Sequence, residues 1–327
     1  MRLIRLIDFR SGMRQCWVMA MIKEPFRCED AGFFGPDSIS WRISGPTIFP
    51  GVVATGAYFF LNPWLANIGV SNSTGATDPW KRIVLTTEYM FAIYFGDRAT
   101  AQHAADVVNA MHDHVVGTWG PTGDREHCAS EPRNLLWLLI PYGQGALDAY
   151  DAYGPRKLTL EERNRYWREE STIVGRLNRI PDELMPKSQA EVDTYLAAER
   201  ANLALTESAL FVSDTFFPRP RAGLKQALLA LPVRAALSTG VALAPDYLMR
   251  LYGKEPYPEL MKAAVKVTHR PLFSALSATP VVQDIIPMAV SAPVRKLVSR
   301  AREAARTGNY DRPAAGDGPA QRLRTVI

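Results

Sequence analysis

The stretch that decides the fold runs from Trp80 to Gly117, WKRIVLTTEYMFAIYFGDRATAQHAADVVNAMHDHVVG. Its spacing predicts two helices. In the first, Trp80 to Phe95, steps of four, three and four residues bring Arg82, Thr86, Tyr89 and Ile93 onto one stripe of the helix. Three polar groups thus lead into an apolar continuation. The second, Thr100 to Val116, carries an apolar stripe of Ala104, Val108, Met111 and Val115, with His112 at its edge and His103 and His114 turned away. Gly96 and Gly117 stand where left-handed caps would end the two helices. An inward imidazole beside a helix that turns an arginine, a threonine and a tyrosine to one side suits a metal or heme pocket between packed helices. It suits a satisfied core histidine too, and periodicity by itself favours that plainer reading while leaving the pocket open.

Outward from this stretch, composition sets the frame. A chain of 327 residues that is 47% hydrophobic is long enough to bury a sizeable core. Cys16, Cys28 and Cys128 are odd in number and irregularly spaced, which points away from a disulfide framework and toward a reducing, cytoplasmic compartment. The net charge of +5 does not describe a nucleic-acid binder. From Arg295 onward eight basic residues face three acidic ones, so the whole excess lies in the C-terminal stretch, which reads as a solvated basic end.

Residues 1–31 read as an amphipathic N-terminal segment, with Arg2, Arg5 and Arg10 among Leu3, Ile4, Leu6 and Ile7, suited at most to weak peripheral membrane contact. Ile43 to Thr77 holds no charged residue, yet Pro46, Pro50 and Pro63 break it into pieces shorter than a membrane span, leaving a buried helix between Pro50 and Pro63. Ala146, Tyr150 and Tyr153 continue at helical spacing to a stop at Gly154 and Pro155. Capping boxes at Thr159/Glu162 and Ser188/Glu191 start two more helices, the first reaching about Gly175, the second running through Leu203 and Leu210. Pro218 and Pro220 mark a turn, and Leu224 to Leu231, Val233 to Leu243 and Pro258 to Val267 read as shorter helices separated by prolines. No strand alternation, phosphate loop or repeat appears. The expectation is an all-α protein: one helical domain over 32–305 and a disordered tail over 306–327.

The order of segments resembles the MpaB and rubber-oxygenase family of helical heme proteins, which includes latex-clearing protein. The resemblance covers about Gly32 to Pro218. It rests on Phe34-Gly35-Pro36-Asp37-Ser38 with Trp41-Arg42, on Asp78-Pro79-Trp80, and on Arg82 with Thr86 as an R-x-x-x-T signature. His112, Val115 and Gly117 match H-x-x-V-x-G, and Glu131-Pro132, Leu135-Leu136-Trp137, Tyr166 and Glu169 agree with later segments. The resemblance implies a globin-like heme-pocket core with extra helices, heme b as cofactor and His112 as the iron ligand. It implies Arg82 and Thr86 as pocket and catalytic residues, and Tyr89 on the same stripe joins the expected cofactor-binding set. Three positions depart from the pattern. Leu85 stands where rubber-cleaving members have a lysine, Leu139 where many have a histidine, and Asn62-Pro63 replaces a His-Pro pair.

By resemblance the activity is that of a heme-dependent oxygenase using dioxygen on an apolar small molecule, an isoprenoid or a secondary metabolite, by double-bond cleavage or oxygen insertion. A heme-binding carrier or sensor without turnover, and a heme-less lipid-binding or structural relative, are the alternatives.

Overall fold

The computed structural model describes residues 28–71, 79–119, 125–210, 234–278 and 291–311. The first helix, α1 (Ile39–Ile43), begins where Ser38 accepts a hydrogen bond from the Trp41 amide, so the serine of the FGPDS stretch is an N-cap. Then come α2 (Ile48–Phe59), α3 (Pro63–Ser71), α4 (Pro79–Phe95) and α5 (Arg98–His112). Two short strands, β1 (Val116–Trp119) and β2 (Arg125–Cys128), precede α6 (Pro132–Tyr153) and α7 (Leu160–Glu170). A π-turn, Ser171–Gly175, follows α7, and α8 (Gln189–Glu199), α9 (234–241), α10 (Asp246–Leu251), α11 (Glu259–Ala278) and α12 (Ala292–Thr307) complete the order.

The fold is all-α apart from one two-stranded antiparallel ladder, in which Gly117 faces His127. Strands of four residues are too short to show an alternating pattern, which is why the sequence reading lacks them. The apolar stretch read between Pro50 and Pro63 becomes α2, and it packs along α6 as the central helix pair. Their contact is set by glycine. A Cβ on Gly145 would stand 2.7 Å from the Gly51 carbonyl oxygen, and one on Gly51 would stand 2.8 Å from that of Gly145. The two backbones touch directly there, closer than any larger residue permits.

Several expectations need correction. Helix α5 ends at His112 with Asp113 as its cap, not at Val116, and its buried face is Ala101, Ala104, Ala105, Val108 and Asn109, leaving Met111 exposed. Neither Gly96 nor Gly117 adopts a left-handed conformation; among the described residues the positive-φ glycines are Gly32, Gly35, Gly253 and Gly308. Gly117 belongs to β1, and packing explains it: a Cβ there would meet Asn67 Oδ1 at 2.9 Å, Ile68 at 3.0 Å and His127 Nε2 at 3.1 Å. The Thr159/Glu162 capping box forms as read, but Ser188 caps a helix that stops at Glu199. Beyond it Ala204 N donates to Leu61 O, drawing the chain back onto α2's end instead of continuing to Leu210. Helix α11 runs through Pro271 to Ala278, past the end expected at Val267.

The basic C-terminal stretch is not wholly solvated. Helix α12 buries Val294, Leu297, Val298, Ala301 and Ala304 and packs on α4, while the Arg302 guanidinium lies 5.1 Å from the Phe95 ring centre. After Gly308, Asp311 accepts from Cys28 N at 3.0 Å and donates its own N–H to Cys28 O at 2.8 Å. The amphipathic reading of 1–27, the turn at Pro218 and Pro220, the helix Leu224 to Leu231 and the tail from 312 lie outside the described residues.

Candidate functional site

Helix α4 carries the site because its side chains divide between two environments. Thr86 and Thr87 face a cleft closed by Val52, Thr55, Gly56, Phe59 and Phe60 from α2 and its end, and by Leu138 and Tyr142 from α6. The cleft is open to solvent and its cavity volume is about 50 Å³, below the usual range of small-molecule sites. Among the described residues no charged group lines it. Its Thr55 hydroxyl is 2.9 Å from Gly51 O and 3.1 Å from Pro141 O, leaving apolar walls with the Thr86 and Thr87 side chains on one side.

Tyr89 is one turn further along α4 and turns elsewhere. Its hydroxyl donates to Asn178 Oδ1 at 2.9 Å, in the segment after the π-turn, and Asn109 of α5 donates to Leu177 O in the same segment. Arg82 lies on α4 one turn before Thr86; its side chain, like those of Asp78 and Trp80, is outside the described residues. His112 closes α5 half-buried, on the same face as Ala101, Ala105 and Val108. Its carbonyl receives Val115 N at 3.1 Å and the Cys128 thiol at 3.2 Å. His103 is half-buried too, and His114 is exposed with Nδ1 2.8 Å from Ala110 O. Thr86 is thus brought to the cleft, Tyr89 to another part of the core, and His112 to the far end of the neighbouring helix.

Behind Tyr142 lies a buried polar cluster that the sequence reading missed. Glu170, 4% exposed, accepts from Ser40 Oγ at 2.8 Å and from the Tyr94 hydroxyl at 3.4 Å. Burial pushes its carboxyl up to about 8, because the loss of water penalises the charged form. The Tyr142 hydroxyl is enclosed nearby without a hydrogen-bond partner among the described residues, the Tyr166 hydroxyl meets that of Tyr94, and burial raises both phenols. In sequence Glu170 is one of two adjacent glutamates on a polar helix, and nothing local separates it from Glu169. The only hint is a tyrosine four residues earlier, at Tyr166.

His127, also missed, is 4% exposed with both ring nitrogens enclosed and without a hydrogen-bond partner among the described residues. Its ring stands edge-on to Trp64 at 5.1 Å, and burial lowers its pKa, favouring the neutral imidazole. The glycine opposite it in the ladder makes the room.

Residues 41–278, nearly three quarters of the chain, match one family model, which runs from within α1 to the end of α11. The chain belongs to the family described as ER-bound oxygenase mpaB/B'/Rubber oxygenase, catalytic domain. The family match spans α2, α4, α5 and α6, and so takes in the cleft, the Arg82/Thr86 stripe and His112 together. No curated protein and no solved structure matches the chain. As a member of an oxygenase family, the protein is placed among enzymes that join dioxygen to a substrate. Among the described residues no helix is long and apolar enough to cross a membrane.

Proposed function

We propose that this protein is a heme b-dependent oxygenase that brings dioxygen to an apolar isoprenoid or secondary-metabolite substrate, by carbon–carbon double-bond cleavage or oxygen insertion. The observation that carries the reading is a cleft in an oxygenase-family body whose described lining holds no charge, with Thr86 of the R-x-x-x-T stretch in its wall.

The donor set fits the cofactor. A heme iron needs one protein donor, and His112 supplies an imidazole on the inward face of α5, next to α4. In this reading Arg82 pairs with a propionate, Thr86 lines the cofactor's pocket, and Leu85 leaves the distal side apolar. Tyr89 then acts at one remove, by fixing α4 against the segment around Asn178.

When bound, heme supplies the dioxygen chemistry. The chain's own part is to bind and orient. Phe59, Phe60, Val52 and Leu138 exclude water from the substrate, and the close α2–α6 contact keeps that wall rigid. The cytoplasm is the compartment proposed, with peripheral membrane contact.

A visible spectrum of the protein expressed with heme supplied tests the reading. A Soret band, with oxygenated products from an isoprenoid on exposure to dioxygen, is expected. Absence of heme uptake would remove it, and heme without product would leave a carrier or sensor.

A further inference from the structure

Helix α11 is built inside out. Steps of four, three, four and four residues put Leu260, Ala264, Val267, Pro271 and Ala275 on one face, with Met261 and Leu272 beside them. That face points away from the protein: Leu260 is 84% exposed, Val267 73%, Leu272 56% and Met261 49%. These are four of the ten large hydrophobic residues exposed among the described residues. The opposite face packs on α6 through Phe273, whose ring lies 5.4 Å from that of Tyr153, and through Ser274, which donates to Tyr153 O. The cations share that inner side or its edges. Lys262 is largely covered and bridges Asp246 and Glu259, Lys266 is half-buried, and Arg270 reaches Pro155 O at 3.5 Å.

A surface helix normally turns its apolar stripe to the core and its charges to water. An apolar crest with basic flanks has the opposite logic, that of a helix lying in a lipid interface. The charges select the surface. Lys262 is balanced by Asp246 and Glu259 and Arg156 by Glu162, which leaves Lys266 and Arg270 of α11 and exposed Lys157 of the adjoining loop as the cations at this edge. Such a rim attracts phosphate and carboxylate headgroups and gives little reason for attraction to a second copy of itself.

We propose that α11 is a peripheral docking element for a bilayer surface containing anionic lipid, with Leu260, Val267 and Leu272 sunk among the acyl chains and Lys266, Arg270 and Lys157 at the headgroups. The helix is about 30 Å long and lies in the plane of the membrane. Docking there would set the protein on the phase in which apolar substrates dissolve. The inference does not depend on heme.

Flotation of the full chain with vesicles of phosphatidylcholine and phosphatidylserine in equal parts is the test. The parent is expected to float with these vesicles and much less with pure phosphatidylcholine. The double variant Leu260→Glu, Val267→Glu should lose at least about tenfold in partitioning, since two apolar anchors are removed. Lys266→Gln should lose about fivefold. A parent that stays in solution, or a double variant that floats like the parent, overturns the proposal. So does a parent dimer that the double variant splits, which would assign the face to a second copy. A fall of several degrees in the double variant's melting temperature without lipid also overturns it, because the chain itself would then cover the crest. None of these outcomes reads on heme content or oxygenase activity.

Discussion

The Ser40 hydroxyl donates to Glu170 Oε1 at 2.8 Å, joining α1 to the end of α7 inside the protein. Tyr94, Tyr142, Tyr166 and the neighbouring Glu169 surround the same carboxyl, and no cation among the described residues does. The folded protein therefore keeps a proton on Glu170 that the unfolded chain releases near 4.5. Between about pH 4.5 and 8 the native state binds more protons, so this group's contribution is full below that window and declines as pH rises through it. The slope is at most about 1.4 kcal/mol per pH unit. Urea unfolding across this range should show Glu170→Gln with a flatter pH dependence than the parent; identical slopes would mean that Glu170 ionises freely in the fold.

Backbone contact between α2 and α6 makes a second prediction. Gly145→Ala places a methyl 2.7 Å from the Gly51 carbonyl oxygen and should destabilise by about 1–3 kcal/mol, despite the better helix propensity of alanine. Gly45→Ala, where nothing lies within 4 Å of the added carbon, should be neutral or slightly stabilising. Equal unfolding midpoints for the two variants would contradict the close crossing.

For the heme reading, His112→Ala should abolish or strongly weaken the Soret band, while His103→Ala and His114→Ala retain it. Arg82→Ala should give a smaller loss of heme affinity, about 1.5–3 kcal/mol for a charge-assisted contact to a propionate. Circular dichroism must show each variant folded. Equal heme content in His112→Ala and the parent would return His112 to the role of a core histidine.

The tie between the two ends of the described chain is also open to measurement. Asp311 accepts from Cys28 N and from Arg300 at 2.8 Å. Its partly exposed setting limits the expected loss in Asp311→Ala to about 1 kcal/mol. Truncation after Asp311 should leave the thermal midpoint unchanged, whereas truncation after Arg306 should lower it by the amount Asp311→Ala does, or more. A tail removable from Arg306 at no loss would show that the contact contributes nothing.

Local sequence determined those features whose cause lies within a turn or two of the chain. Helix periodicity decided the all-α class and the two helices α4 and α5, and the Thr159 capping box decided where α7 begins. Proline and the absence of charge made the stretch before α4 a set of short buried helices. Tertiary structure decided what depends on residues far apart. Thr86 and Tyr89 share one helical stripe, yet Thr86 meets α2 and α6 at the cleft while Tyr89 meets Asn178, because a stripe spans more than one neighbour. Gly117 reads as a cap and is a packing glycine, since the need for it comes from Asn67 and His127. Glu170 is indistinguishable from Glu169 along the chain; only the packing of α1, α4 and α6 around it removes its water and makes it an acid near neutrality. The outward apolar face of α11 has the same spacing as an inward one, because periodicity defines a stripe without saying which side of it the protein occupies.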